Sequence, residues 1–217
     1  MKNNDLYNTR LVYIARRFLS VIVSYLRGVF LPLLSGNQQV CVVSSGGVAT
    51  TFFMEFIGQH ITVNNPYDRD GLKHVACPPI FLGKKKYIYI YGDPKSILSS
   101  LARRGFLDYQ IRKNGTFQTF GVIDTVEGYL SQNRDLLRLK KSRRAWERLA
   151  SSNENVLVLH FSELWTRMQE WGELLNLSEQ VINTFPAQKV RHSDSIDLTP
   201  KELIRFEVIY GKDYLRT

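Results

Sequence analysis

With 217 residues, 44% hydrophobic and 23% charged, the chain is long enough to bury one sizeable core and too apolar for wholesale disorder. Its formal net charge of +9 fits an anionic partner: a nucleotide, a nucleic acid or an acidic membrane surface. The two widely spaced cysteines, Cys41 and Cys77, exclude a disulfide framework and a zinc pattern, and they favour a reducing, cytoplasmic compartment.

The chain opens with polar residues 1–10, which read as poorly ordered, and then turns apolar from Leu11 to Leu34. Arg16, Ser20, Ser24 and Arg27 are spaced to line one stripe of a helix whose remaining surface is apolar, and Pro32 is placed to stop it. A membrane-spanning helix needs about 20 apolar residues and would bury Arg27 badly. No small-residue cleavage site follows, so a signal peptide fits less well. Three readings stay open for residues 11–34: a helix docked on the domain, an interfacial membrane helix, or a degenerate anchor. Residues 1–36 are therefore set apart as an amphipathic N-terminal unit, docked or at a membrane surface, from a domain spanning 37–217.

The stretch from Gln39 to Ile57 organises that domain. Val40 to Val43 is a β-branched run of the kind buried on both faces of a sheet. Ser44 to Ala49 is entirely small, with Gly46 and Gly47 free to take positive φ, and from Thr50 the period becomes helical and ends near Gly58. Strand, small-residue loop and helix start together aim backbone N–H groups at an anion. The alternative is an ordinary βα turn.

Asn64 to Gly71 reads as loop, and Leu72 to Ala76 as a short strand with His74 near its end. Tyr87 to Tyr91 is a clear strand, followed by Asp93 as N-cap and Pro94 at the first position of a helix buried through Ile97, Leu98 and Leu101. Residues 105–121 lack periodicity and read as a mobile loop near a site. Thr125 to Ala150 reads as mostly helical, its basic end (Arg138 to Arg148) as a solvated face rather than a nucleic-acid patch, because aromatic interleaving is missing. Asn155 to Phe161 is the third strand, Ser162 caps a helix reaching Leu175, and Ser178 to Phe185 is a short helix. Gln188 to Ser195 is a basic loop, and Thr199-Pro200-Lys201-Glu202 is a capping box that opens a last helix to about Tyr210. Two strand-to-helix turns predict a parallel sheet with crossover helices, both turns lying at its carboxyl rim.

In this order the motifs resemble the sulfotransferase family. Its first loop reads (K/R)-S-G-T-T, and here Gly47-Val48-Ala49-Thr50-Thr51 stands in that place. Its second motif, R-(N/D)-P-(K/R)-D-x-x-x-S, is similar to Gly92-Asp93-Pro94-Lys95-Ser96-Ile97-Leu98-Ser99-Ser100, and its K-T-H-L-P segment to Lys73-His74-Val75 with Pro78 nearby. Leu157 to Leu164 and Tyr210 to Tyr214 also look like later parts of the family, so the likeness covers about residues 38–217. The resemblance implies an α/β fold: three layers (α/β/α) with a central, mostly parallel sheet of P-loop NTPase-like type. It implies sulfuryl transfer from 3′-phosphoadenosine 5′-phosphosulfate (PAPS), without a metal, to a hydroxyl or amine acceptor such as a glycan or lipid. Carried onto this chain, Thr50 and Thr51 would hold the phosphosulfate, within a donor-binding set that also takes in Ser45, Gly46, Gly47, Val48, Ala49 and Arg191. Lys95 and Ser100 would serve the 3′-phosphate, and His74 would be the general base, the alternative being a structural histidine.

Two departures bear on this. Gly47 replaces the basic residue that steadies the leaving phosphate, and Gly92 replaces the arginine of the second motif. Losing such a preorganised charge costs on the order of 10²–10³ in rate. Lys73, Lys95, Arg103 and Arg191 are the candidate substitutes. A P-loop NTPase or nucleotide kinase is the alternative, since Ser45 to Thr51 is similar to K-G-G-V-G-K-T-T, though one residue shorter and without its lysines. An inactive binding protein with the same fold is the third reading.

Overall fold

Three β-branched and aromatic runs form one parallel sheet in the computed structural model, which describes residues 2–48, 50–114, 121–188 and 197–212. Strands β1 (Val40–Ser44), β2 (Lys86–Tyr91) and β3 (Val156–His160) lie side by side in that order. The register pairs Ser44 with Ile90 and Tyr91 with His160, so all three strands end at one rim. The molecule is thus of mixed α/β class with a central parallel sheet. Parallel neighbours require crossovers, and these carry the helices.

Strand alternation divides the core in two. One face presents Val40, Val42, Ile88, Ile90, Leu157 and Leu159. It is covered by α3 (Thr51–Ile57), α4 (Pro94–Arg103), α5 (Leu107–Lys113), α6 (Val126–Leu130), α9 (Met168–Leu175) and α11 (Pro200–Tyr210). The other face presents Cys41, Val43, Tyr87, Tyr89 and Val156, covered by Leu31 of α2 (Leu31–Leu34), Leu72, Val75 and Trp146 of α7 (Leu139–Ala150). Trp146 stacks on Tyr89 with ring centroids 5.3 Å apart. The outer edge of β1 is met by the Thr62 and Lys73 carbonyls at its ends and by one side chain between them. Asn64 accepts from Val42 N–H at 2.7 Å and donates to Val42 C=O at 3.0 Å, as a neighbouring strand would.

Several expected boundaries move. Helix α1 runs from Lys2 to Val29, so the polar start continues the helix, and Pro32 sits inside the separate turn α2. Leu72 to Ala76 is a series of turns, not a strand, because its backbone bonds locally and to the end of β1 (Ser44 N–H to Lys73 C=O, 2.9 Å). The segment read as a mobile loop contains α5, which buries Leu107 and Ile111 four residues apart. The helix expected over 125–150 is broken between α6 and α7, where Asn133 and Arg138 take φ of 49° and 54°. Ser162 does not cap α8 (Glu163–Thr166); its hydroxyl bonds His160 Nδ1 at 2.7 Å. The expected caps hold at Asp93 and at Thr199, where the capping box is complete, and Ser178 also caps α10 (Glu179–Ile182). Most of the Gln188–Ser195 loop lies outside the described residues.

Candidate functional site

At the carboxyl rim the chain leaves β1 at Ser44 and enters α3 at Thr51, and it leaves β2 at Tyr91 and enters α4 at Pro94. The two turns are adjacent because β1 and β2 are paired. They also touch: a Cβ on Gly47 would lie 3.2 Å from Ile97 Cα in α4, and one on Gly92 would lie 3.2 Å from Val48.

The first turn is closed around its own protein groups. Gly46 and Gly47 take φ of 86° and 72°, values that favour glycine. A Cβ at Gly46 would strike the Gln110 side chain, whose Nε2 donates to Ser45 C=O at 3.1 Å. Asn114 Nδ2 reaches the same carbonyl at 3.5 Å. Gly47 therefore occupies a place where a lysine side chain has neither the backbone freedom nor the room.

Cationic groups come instead from the segment that runs back along β1. Lys73 is 4% exposed, and its ammonium donates to Thr51 Oγ1 at 2.9 Å and to Pro66 C=O at 2.7 Å. Burial pulls its pKa down to about 8, opposed by the charges of Asp68 and Glu55. Next to it, His74 is half-buried, with Nδ1 2.9 Å from Ser44 C=O. Only a protonated Nδ1 can donate there, which leaves Nε2 as the free basic nitrogen. Desolvation pushes this imidazole down to about 4, so it is neutral near pH 7. Ser44 Oγ approaches both His74 Nδ1 (3.3 Å) and Thr50 Oγ1 (3.4 Å). Lys113 of α5 forms a buried ion pair with Asp68, whose other oxygen accepts from Lys73 N–H at 3.0 Å. The Asp68 carboxylate thus joins the Lys113 ammonium to the Lys73 backbone beside the histidine.

The second turn is less charged. Asp93 accepts from Ser96 N–H at 2.7 Å as N-cap, which places a carboxylate at the start of α4. Between α4 and α7 lies a cavity of about 10 Å³, room for one water, lined by Ser45, Tyr89, Gly92, Lys140 and Arg143 among others. The Ser45 and Tyr89 hydroxyls are buried there, without a regular hydrogen bond among the described residues. The Arg143 guanidinium sits 4.3 Å from the Tyr91 ring centroid, and Lys140 Nζ donates to Ile209 C=O at 3.3 Å.

Of the residues singled out by sequence, the fold brings Ser45, Gly46, Gly47, Val48, Thr50, Thr51 and His74 together. Lys95 and Ser100 are half-buried on α4, and among the described residues no hydrogen bond joins them to the first turn. Ala49 and Arg191 lie outside the described residues. His74 stands in a turn rather than at a strand end, for the reason given above. Asp68, Gln110, Lys113 and Asn114 were not singled out, because they lie in stretches whose helical or turn structure gave a weak pattern; the Leu107–Ile111 spacing was the available signal for α5. No family model, no curated protein and no solved structure matches this chain.

Proposed function

We propose that the chain is a sulfotransferase-like enzyme, with a three-layer, P-loop-like fold, that moves a sulfuryl group from PAPS to a hydroxyl or amine acceptor, a glycan or lipid being suitable. One observation carries this reading: the buried Lys73 ammonium reaches Thr51 of the first turn where Gly47 leaves that turn without a cation, and His74 follows it directly. In the reaction the acceptor oxygen or nitrogen bonds to sulfur while the bond from sulfur to the donor phosphate oxygen breaks. The His74 Nε2 takes the acceptor's proton, and the Lys73 charge stabilises the negative charge that builds on the leaving oxygen. A neutral imidazole and a charged ammonium are the protonation states this division of labour needs near pH 7.

The test is calorimetric titration with adenosine 3′,5′-bisphosphate without metal, and with ATP and Mg²⁺. The expected result is binding of the bisphosphate alone, weakened about 10- to 100-fold by Lys73→Ala, the worth of a hydrogen bond to a charged group. His74→Ala should keep that binding and abolish turnover with PAPS. No response to the bisphosphate overturns the reading, and an Mg²⁺-dependent ATP response points to an NTPase or kinase. A second reading, a binding protein without turnover, is favoured by Gln110 packing over Gly46. It predicts bisphosphate binding with no sulfuryl transfer to any acceptor.

A further inference from the structure

The N-terminal helix is docked with its apolar side outward. Among the described residues it buries Val21, Ser24, Gly28 and Val29, and a Cβ on Gly28 would overlap the Cys77 carbonyl, so the contact face is fixed by close backbone approach. Arg27 packs over Gly71. A narrow edge of α1 thus meets the domain. Val12, Leu19, Ile22, Val23 and Leu26 lie along the opposite side, each between 37% and 59% exposed. The strip continues past the helix through Phe30, Leu33 and Leu34, at 40%, 66% and 53%. Segment 77–85 runs beside it, tied to α1 at Cys77 (Sγ to Tyr25 C=O, 3.6 Å) and beyond α2 at Lys85 (Nζ to Gln38 C=O, 3.1 Å). Between those ties it exposes Ile80 at 74% and Phe81 at 41%. An apolar surface of this extent marks an interaction site.

Charge selects the occupant. No Asp or Glu occurs between Asp5 and Glu55, or between Asp70 and Asp93, and Lys84, Lys85 and Lys86 follow the exposed Ile80 and Phe81 at the end of the 77–85 loop. Pairing of two copies through this face would set cations against cations, which costs several kcal/mol. The exposed strip is also wider than the narrow seam of a coiled coil. Among the described residues no helix is long and apolar enough to cross a membrane. We infer that α1, α2 and the 77–85 loop form a platform that lies on an anionic lipid surface, with the apolar strip in the headgroup region and the flanking cations on lipid phosphates.

The experiment is co-sedimentation of the full chain with vesicles of phosphatidylcholine alone or mixed with phosphatidylserine, with sedimentation-velocity runs without lipid. Expected is binding to the mixed vesicles that weakens with added salt. Leu19→Asp with Ile22→Asp should reduce it by more than about tenfold, because each buried aliphatic side chain contributes at least that factor. Lys84→Gln should reduce it about fivefold. Both variants alter exposed side chains, and an unchanged melting temperature shows that the fold is kept. Equal binding to both vesicle types, no binding to either, binding insensitive to the aspartates, or a lipid-free dimer that the aspartates dissolve would each overturn the inference.

Discussion

Lys73 and His74, neighbours in the chain, are pushed the same way by burial: both hold protons less readily in the folded state than in the unfolded chain. As pH falls from about 6.5 to about 4, the unfolded histidine takes a proton that the native one refuses, so stability falls through that window. Above about 8 the native Lys73 gives up its proton while the unfolded lysine keeps one, so the cost of burying it is relieved as pH rises. Lowering the pH from about 7 to about 5 should therefore cost about 2 kcal/mol in urea unfolding, and His74→Gln should remove most of that slope. An unchanged slope would show that the imidazole titrates normally. Both residues were legible as candidates from chemistry alone. Their electrostatic setting was not, because Asp68 and Lys113 are 45 residues apart and meet only in the folded chain.

At the scale of elements, the first βα turn was legible and its contents were not. The β-branched run, the paired glycines and the phenylalanines at helical spacing give β1, loop and α3 within a residue of where they lie. That the glycines serve packing against Gln110 and Ile97 follows only from where α4 and α5 dock. Gly47→Lys, which would place a cation in the turn itself, is expected to lower stability by about 2 kcal/mol through the left-handed backbone and the nearby Ile97 Cα, without strengthening bisphosphate binding. Tighter binding by this variant would mean that the loop opens. Gly83→Ala is the control, since Gly83 has φ of 61° but no atom near its Cβ position, and it should cost about 1 kcal/mol.

For the whole molecule, the closing tie is made by tyrosines far apart in sequence. Tyr129 of α6 and Tyr210 of α11 bring their hydroxyls to 2.7 Å, and both approach Asp135 (3.3 and 3.2 Å). Burial raises the Asp135 carboxyl above its ordinary value, while these bonds and backbone N–H groups hold it down. The last helix is fixed to the sheet's crossover by this triad and by Phe206 in the core. Tyr210→Phe should cost about 1–2 kcal/mol by equilibrium unfolding, since the Tyr129 hydroxyl loses a partner in a buried place. A loss below about 0.3 kcal/mol would show that the triad contributes nothing net.

The sequence alone determined the local pieces of this protein: three strands, the caps at Asp93 and Thr199, the pair of turns and an N-terminal helix with an arginine and serine stripe. Those are set by periodicity and by what each residue permits the nearby backbone, information contained within a few positions. Only the tertiary structure decided that the Lys73 ammonium reaches Thr51, that Asn64 pairs with Val42 at the edge of β1, and that α1 leaves an apolar strip facing away from the domain. Each of these depends on groups brought together across tens of residues, where burial and contact are properties of the packed chain rather than of any stretch of it.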